Sequence, residues 1–196
     1  MARRRSQIAR KTGETDVTVH LDLDGEGAAK VRTGIGFLDH LLGTLAKHAR
    51  FDLSLTCKGD TAVDDHHSAE DCALTLGAAI DKALGERRGI ARFGHAYAPL
   101  DEALARAVVD LSGRPCAVVD LGLSRFDIGG LACENIAHVI RSLALSARAT
   151  IHVEVLRGEN DHHRAEAAFK ALALALGQAV APDGSNGVPS TKGTLR

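Results

Sequence analysis

The chain lacks several features that mark specialised protein classes. Tryptophan is absent, aromatic residues make up 3% of the 196 residues, and 24 Lys plus Arg nearly balance 25 Asp plus Glu. Because the chain has no basic excess and few aromatic side chains for base stacking, neither a nucleic-acid nor a membrane-surface partner is predicted. No run of about 18 or more apolar residues occurs, so the sequence predicts no membrane-spanning helix.

Targeting and disulfide signals are also missing. The four cysteines (Cys57, Cys72, Cys116 and Cys133) form no C-x-x-C pair, and we predict free, buried thiols in a reducing cytoplasmic compartment. The basic segment 2–11 lacks the apolar core of a signal peptide and is predicted to be a surface arm. An organellar location stays open if a transit peptide was removed. At about 150 residues per domain, the length predicts a single domain over 1–196.

What the chain does contain is an internal repeat. Three blocks recur in the same order, and such self-similarity indicates a duplicated unit. The first and second members of each pair are Leu21–Gly25 and Val109–Gly113, the stretches that begin at His40 and His138, and Asp64–Asp71 and Asn160–Ala167. We predict two repeats, at about 10–87 and 88–181, followed by a C-terminal loop at 182–196.

Both halves show the same succession of patterns. Residues 17–23 alternate apolar and polar side chains, which predicts a strand, and residues 28–33 are predicted to be its hairpin partner after a turn at 25–27. The other predicted elements are a helix at 37–49, a strand at 52–58 and a helix at 66–84, then strands at 102–111 and 115–121, a helix at 135–148, a strand at 150–156 and a helix at 162–180. The prediction is an α+β fold of duplicated ββαβα halves, in which mixed sheets carry helices on one face.

The most reactive side chains recur with the repeat. Each copy has a lone histidine at the start of one helix and an H-H-x-x-E motif at the start of the next. Because residues i and i+4 share a helix face, these groups can converge on metal ions. Two ions would each receive three imidazoles and one carboxylate, a set that suits Mn, Fe, Co, Ni or Zn and, without thiolates, argues against a structural zinc finger. The candidate ligands are His40, His66, His67, Glu70, His138, His162, His163 and Glu166.

Six segments resemble the imidazoleglycerol-phosphate dehydratase family, and the likeness runs from about Arg10 to Leu195. They are GIGFLDH (34–40), DDHHSAED (64–71), RFGHAYAPLDEAL (92–104), DLSGRP (110–115), NDHHRAEAAFKAL (160–172) and VPSTKGTL (188–195). The resemblance implies a metal-dependent lyase of L-histidine biosynthesis that dehydrates imidazoleglycerol phosphate to imidazole-acetol phosphate. It also implies two Mn²⁺ ions per active site, and sites between the subunits of a 24-subunit shell.

The resemblance further implies how the ligands divide between the ions. One ion would take His40, His67, Glu70 and His163. The other would take His66, His138, His162 and Glu166. The spacing alone leaves open which histidine of each pair serves which ion.

Roles in the reaction follow from the same resemblance. The proton to be removed lies on a carbon with no adjacent carbonyl, so we hypothesise that the metal ions act as Lewis acids on the imidazole ring while the hydroxyl leaves. Glu14 is the candidate acid/base residue, and Glu70 and Glu166 complete the predicted catalytic set. The residues predicted to bind substrate and its phosphate are Glu14, Arg92, Arg114, Lys170, Ser190, Thr191 and Lys192.

Two other functional classes remain open at this point. A non-catalytic metal-binding protein would use the histidines but would leave Arg92, Arg114 and the PSTK segment without a role. A dinuclear metallohydrolase would direct a metal-bound hydroxide at an ester. Such enzymes usually bridge their ions with carboxylates, whereas this candidate set is rich in imidazole.

Overall fold

A computed structural model describes residues 3–195, which form two similar halves. The first half contains β1 (Arg5–Lys11), β2 (Thr15–Asp22), β3 (Ala29–Arg32), α1 (Gly36–Ala49), β4 (Asp52–Gly59) and α2 (His66–Leu84). The second contains β5 (Phe93–Leu100), β6 (Ala103–Asp110), β7 (Cys116–Asp120), β8 (Asp127–Ile128), β9 (Leu131–Ala132), α3 (Cys133–Ser146), β10 (Thr150–Arg157) and α4 (Asp161–Val180). The predicted duplicated α+β fold is confirmed, with an additional strand at the start of each half and a short antiparallel pair, β8 and β9, in the second half.

Each half builds one mixed sheet with the same strand order. The orders are β1-β2-β4-β3 and β5-β6-β10-β7, and the last strand of each is the parallel one. Val19 pairs with Leu55 in the first sheet, and Ala107 pairs with Val153 in the second. These pairs occupy equivalent places, so the repeat in the sequence is also a repeat in strand register.

The core lies between the two sheets, where the helices of one half pack on those of the other. Helix α1 contacts α4, and α2 contacts α3. The inner sheet residues Val17, Val19 and Leu21 are buried, as are Leu38 and Leu41 of α1. Alternate strand residues and one stripe of each helix face this core, as two packed layers require. The predicted placement of helices on one face of each sheet is confirmed.

The N-terminal segment predicted as a surface arm is mostly exposed but forms a regular strand over residues 5–11, and strand β5 was not predicted either. Residues 5–11 form edge strand β1, in which only Ser6 and Ile8 turn inward among exposed charged neighbours. In β5 the inward positions hold Gly94 and small alanines, while aromatic side chains such as Tyr97 face outward. Both patterns conceal the apolar alternation from which strands are predicted.

The predicted hairpin between residues 17–23 and 28–33 is also wrong. Strand β3 pairs in parallel with β4, with Val31 opposite Leu55. Both edges of β2 are occupied, by β1 and β4. The connection from β3 to β4 runs through α1, and such a helical crossover is what allows neighbouring strands to be parallel.

Other predictions concern the termini and the thiols. Residues 182–195 form no helix or strand, as predicted, apart from a single bridge between Ile90 and Pro182. All four cysteines are free, but burial is confirmed only for Cys72 and Cys133: Cys57 is half-buried, and Cys116 is exposed at the start of β7. Among residues 3–195, no helix has both the length and the apolar character needed to cross a membrane. The repeat limits at 10–87 and 88–181 stay a prediction, with β1 beginning at Arg5.

Candidate metal centre and substrate-binding residues

One cluster of ligand-type side chains lies where α1 meets α4. His40, His162 and Glu166 bring one ligand atom each to within 4.8 Å of the others. His40 Nε2 lies 2.9 Å and His162 Nε2 3.3 Å from Glu166 Oε2. The Phe37 ring packs against this group, with 4.9 Å between its centroid and that of His162. We call His40, His162 and Glu166 the α1–α4 triad.

A second cluster lies where α2 meets α3. His66, Glu70 and His138 also bring one ligand atom each to within 4.8 Å. His138 Nε2 lies 3.1 Å from Glu70 Oε1, and the His66 and His138 rings stack with 4.9 Å between centroids. His66 Nδ1 is 2.9 Å from Asn135 Oδ1. We call His66, Glu70 and His138 the α2–α3 triad.

Each triad therefore draws on both halves of the chain. The lone histidine comes from one half, and the first histidine and the glutamate of H-H-x-x-E come from the other. The motifs open their helices as predicted: Asp64 accepts a hydrogen bond from the His66 main-chain N–H, and Asn160 accepts one from that of His162. Asp64 and Asn160 are equivalent in the repeat, and such hydrogen bonds satisfy N–H groups at a helix start that have no partner within the helix.

The second histidine of each motif points elsewhere. His67 Nδ1 lies 3.1 Å from Asp60 Oδ2, and its Nε2 lies 3.6 Å from Glu14 Oε1. Glu14 is an exposed residue in the turn between β1 and β2. His163 Nδ1 lies 2.7 Å from Glu102 Oε2.

The two predicted ligand sets cut across these triads. The set of His40, His67, Glu70 and His163 takes one residue from each triad and both outlying histidines. The other set combines two residues of each triad. A single chain assembles neither set, and because the resemblance implies sites between subunits, a single chain does not test the division.

The chemistry of the donors fits a divalent transition-metal ion. Each triad offers two imidazole nitrogens and a carboxylate that already converge, which is the ligand mixture such ions prefer. Burial alone would raise the pKa of Glu166, but the hydrogen bonds from Lys170 and His40 outweigh it and lower the pKa to about 2. The carboxylate is therefore ionised at neutral pH, as a metal ligand must be.

The predicted phosphate-binding residues fall into separate groups within one chain. Arg92 donates from Nε and Nη2 to Asp110 and from Nη1 to the Pro189 carbonyl, at 2.8 Å, which holds the C-terminal loop. Lys170 instead lies 2.8 Å from Glu166. The Arg92 main-chain N–H donates to the Ala179 carbonyl. Ala179 lies nine residues beyond Lys170, about 13 Å along α4, so Arg92 and Lys170 are well separated within one chain.

The remaining members of this group are on the surface. Arg114 is exposed after β6, and its main chain hydrogen-bonds with the Ser112 hydroxyl. Ser190, Thr191 and Lys192 form a tight turn, in which the Lys192 main-chain N–H donates to the Ser190 hydroxyl at 3.2 Å. The structure thus joins Arg92 to the loop and Lys170 to the α1–α4 triad.

Several residues that organise the site were not predicted. They are Phe37, Asp60, Glu102 and Asn135, with Asp161, whose carboxylate accepts the main-chain N–H groups of Ser124 and Arg125 at the start of α4. Phe37 and Asn135 each lie three residues before a repeated histidine, so the repeat alignment held a signal for them. Asp60 and Glu102 lie in connections at different places in the two halves, where no repeated motif marks them.

Comparison with protein families gives one match that covers most of the chain. Residues 33–176 match the family model described as imidazoleglycerol-phosphate dehydratase. The matched segment includes both triads, His67 and His163. It excludes Glu14 and the C-terminal loop.

Individual relatives and solved structures agree with this match. An imidazoleglycerol-phosphate dehydratase of Phytophthora nicotianae is 61% identical over 192 residues, which span 98% of this chain but 42% of that protein. The Kluyveromyces lactis protein of the same name is 49% identical, with 98% of this chain and 97% of that protein covered. The crystal structure of IGPD from Pyrococcus furiosus superposes with a TM-score of 0.82 at 37% identity, covering 96% of this chain and 100% of that one.

Proposed function

Because the chain belongs to the imidazoleglycerol-phosphate dehydratase family, we propose that it removes water from imidazoleglycerol phosphate to give imidazole-acetol phosphate. This reaction is a step of L-histidine biosynthesis. The observation that carries the proposal is the pair of triads, in which two imidazoles and one carboxylate converge at equivalent places of the two halves.

The active site holds two Mn²⁺ ions, with His40, His66, His67, Glu70, His138, His162, His163 and Glu166 as ligands. When bound, the ions supply Lewis-acid polarisation of the substrate and a template that orients it. The donor chemistry of the triads supports this assignment. So does the ionised state of Glu166, whose pKa is lowered to about 2 by Lys170 and His40 against the effect of burial.

Glu14 transfers a proton at the reacting carbon. Its carboxylate is exposed, and Oε1 lies 3.6 Å from Nε2 of the predicted ligand His67, so a substrate held at the metal centre comes within its reach. Glu70 and Glu166, the other members of the catalytic set, act as metal ligands. General acid–base groups of this kind contribute about 10²–10⁴-fold to rate.

The substrate phosphate is bound by Arg92, Arg114, Lys170, Ser190, Thr191 and Lys192. Guanidinium, ammonium, hydroxyl and main-chain N–H donors are the groups that recognise phosphate. Arg92 is oriented by Asp110 and in turn holds the loop that carries Ser190 and Lys192. These cations lie apart within one chain, which supports a site completed by neighbouring subunits.

The assembly is a 24-subunit shell located in the cytoplasm. Both predicted ligand sets need residues of the two triads, so chains must combine to build a site. Four free cysteines are consistent with a reducing compartment.

Turnover of imidazoleglycerol phosphate by purified protein tests this function. We expect activity to be lost when a chelator strips the metal and restored by Mn²⁺, and Glu14→Gln to lower kcat by about 100-fold or more while metal content is unchanged. Full turnover by Glu14→Gln would remove Glu14 from the mechanism. If the chain binds metal without turnover, the function fails in favour of a non-catalytic metal-binding protein. Hydrolysis of a phosphate ester instead would favour the hydrolase.

A further inference from the structure

In both halves, the second histidine of H-H-x-x-E meets a carboxylate through Nδ1. His67 Nδ1 lies 3.1 Å and 3.3 Å from the two carboxylate oxygens of Asp60. His163 Nδ1 lies 2.7 Å from Glu102 Oε2. The two histidines are equivalent in the repeat.

The identity of the partner decides which ring nitrogen carries the proton. An ionised carboxylate can only accept a hydrogen bond, so Nδ1 of each ring must be the donor. In the neutral imidazole, Nε2 then has a free lone pair. The other oxygen of Glu102 accepts the main-chain N–H groups of Glu159 and Asn160, so this carboxylate is an acceptor in each of these contacts.

The two carboxylates come from different places, although the histidines match. Asp60 is the residue that follows β4, whereas the residue that follows β10 is Gly158, which has no side chain. Glu102 lies in the turn between β5 and β6, where the strand register makes it the counterpart of Glu14. Each half therefore provides a carboxylate for Nδ1 of the second histidine, but from a different part of the fold.

The two equivalent turn glutamates, Glu14 and Glu102, contact different ring nitrogens of their histidines. Glu14 faces Nε2 of His67, at 3.6 Å, and leaves Nδ1 to Asp60. Glu102 takes Nδ1 of His163 with one carboxylate oxygen. With the other it accepts the main-chain N–H groups of Glu159 and Asn160, at 3.1 and 2.9 Å, at the entrance to α4. It thereby ties the ring to the helix start.

We propose that Asp60 and Glu102 are positioning residues that hold His67 and His163 in the orientation and tautomer that present Nε2 to a metal ion. The proposal rests on the metal-dependent function proposed above. A carboxylate behind a metal-binding imidazole fixes its ring and raises its basicity, and removal of such a partner typically costs 10–100-fold in metal affinity.

Calorimetric titration of the chelator-stripped protein with Mn²⁺ tests the proposal. We expect Asp60→Ala to weaken binding by about 10–100-fold and Asp60→Asn, whose amide oxygen still accepts from Nδ1, to recover most of that loss. Glu102→Ala and Glu102→Gln form the matching pair in the second half. Glu154→Ala, which removes a surface ion pair with Arg106, is the control and is expected to bind as the unmodified chain does.

Thermal unfolding of the metal-free variants separates orientation from stability. Asp60→Ala is expected to unfold near the temperature of the unmodified chain, because Asp60 and His67 are both partly exposed to solvent and their contact lies outside the core. Unchanged Mn²⁺ affinity in both alanine variants would overturn the proposal, as would an equal loss in the alanine and amide variants. A loss matched by a lower unfolding temperature would assign the carboxylates a structural role instead. If the unmodified chain binds no Mn²⁺, the proposed metal centre itself is wrong.

Discussion

The two triads have the same ligands but different surroundings. Phe37 and Asn135 occupy equivalent places, three residues before His40 and His138. Phe37 packs its ring against His162 in the α1–α4 triad, whereas Asn135 hydrogen-bonds to Nδ1 of His66 in the α2–α3 triad. One triad is therefore backed by an apolar ring and the other by a polar side chain.

A second difference lies one helical turn beyond each glutamate. Lys170 follows Glu166 by four residues and contacts it at 2.8 Å, but the equivalent position after Glu70 is Leu74. A lysine therefore contacts the glutamate of the α1–α4 triad, whereas the equivalent position beside the α2–α3 triad is apolar. The two triads therefore share their residue types but differ in the groups around them and in the arrangement of their rings, which are tilted in His40–His162 and stacked in His66–His138.

The largest expected effect tests whether both triads are needed. His40→Ala and His138→Ala each remove the lone histidine of one triad. Because loss of an indirect partner already costs 10–100-fold in affinity or activity, loss of a ligand is expected to lower turnover by more than about 100-fold in either variant. Metal analysis should show loss of one of the two ions in each variant, because His40 and His138 belong to different predicted ligand sets.

His152→Ala provides the control for this pair. His152 lies on the exposed face of β10, where it pairs with Val108 and Val118. We expect the His152→Ala variant to keep the turnover and the metal content of the unmodified chain. Normal turnover by either triad variant would mean that the two triads do not serve one reaction.

The repeated motifs made six of the eight candidate ligands recognisable as two clusters, since the spacing of H-H-x-x-E is a property of one helix. The pairing of helices was not predictable in this way. Nothing within the segments that contain His40 or His138 indicates that α1 packs on α4 and α3 on α2, because that choice depends on how two sheets enclose one core. Strand β5 was missed for a related reason: its inward residues are small where it meets α4, so close packing replaced the usual apolar signal.

Gly77 and Gly177 lie at the two contacts between the halves, and substitutions there compare how tightly each contact is packed. A Cβ at Gly77 in α2 would meet the Leu143 carbonyl oxygen at 2.7 Å and the Ala147 main-chain nitrogen at 2.8 Å. A Cβ at Gly177 in α4 would meet the Ala49 carbonyl oxygen at 3.1 Å. Ala49 and Ala147 are equivalent in the repeat, so both helices approach the same point of their partners, one more closely than the other.

Alanine at these positions should therefore have unequal effects. Gly77→Ala is expected to lower the free energy of unfolding by about 1–3 kcal/mol, because backbone atoms of α3 must move. For Gly177→Ala, the gain of about 1 kcal/mol in helix propensity offsets a milder contact, so we expect a change within about 1 kcal/mol. Urea unfolding of the metal-free variants measures both values. Equal losses would show that the two contacts are equally tight.

A loop that follows α4 in the second half has no counterpart in the first half. After α4 the chain forms the loop at 188–193, held through the Pro189 carbonyl by Arg92, whereas after α2 residues 85–92 lead directly into β5. Lys192 is exposed on that loop. If its ammonium contacts the substrate phosphate, Lys192→Ala should raise KM by about tenfold, the equivalent of about 1.4 kcal/mol, with little change in kcat.

The metal content of the Lys192→Ala variant distinguishes substrate binding from a structural role. The residues of both triads lie on the four helices, and neither triad includes a loop residue. The amount of bound metal should therefore equal that of the unmodified chain. Lys11→Ala, which removes a surface cation paired with Asp16, should leave KM unchanged and so exclude a general effect of net charge. Loss of metal in Lys192→Ala would mean that the loop supports the metal centre. The two halves would then differ in the support of their metal ligands as well as in their contribution to phosphate binding.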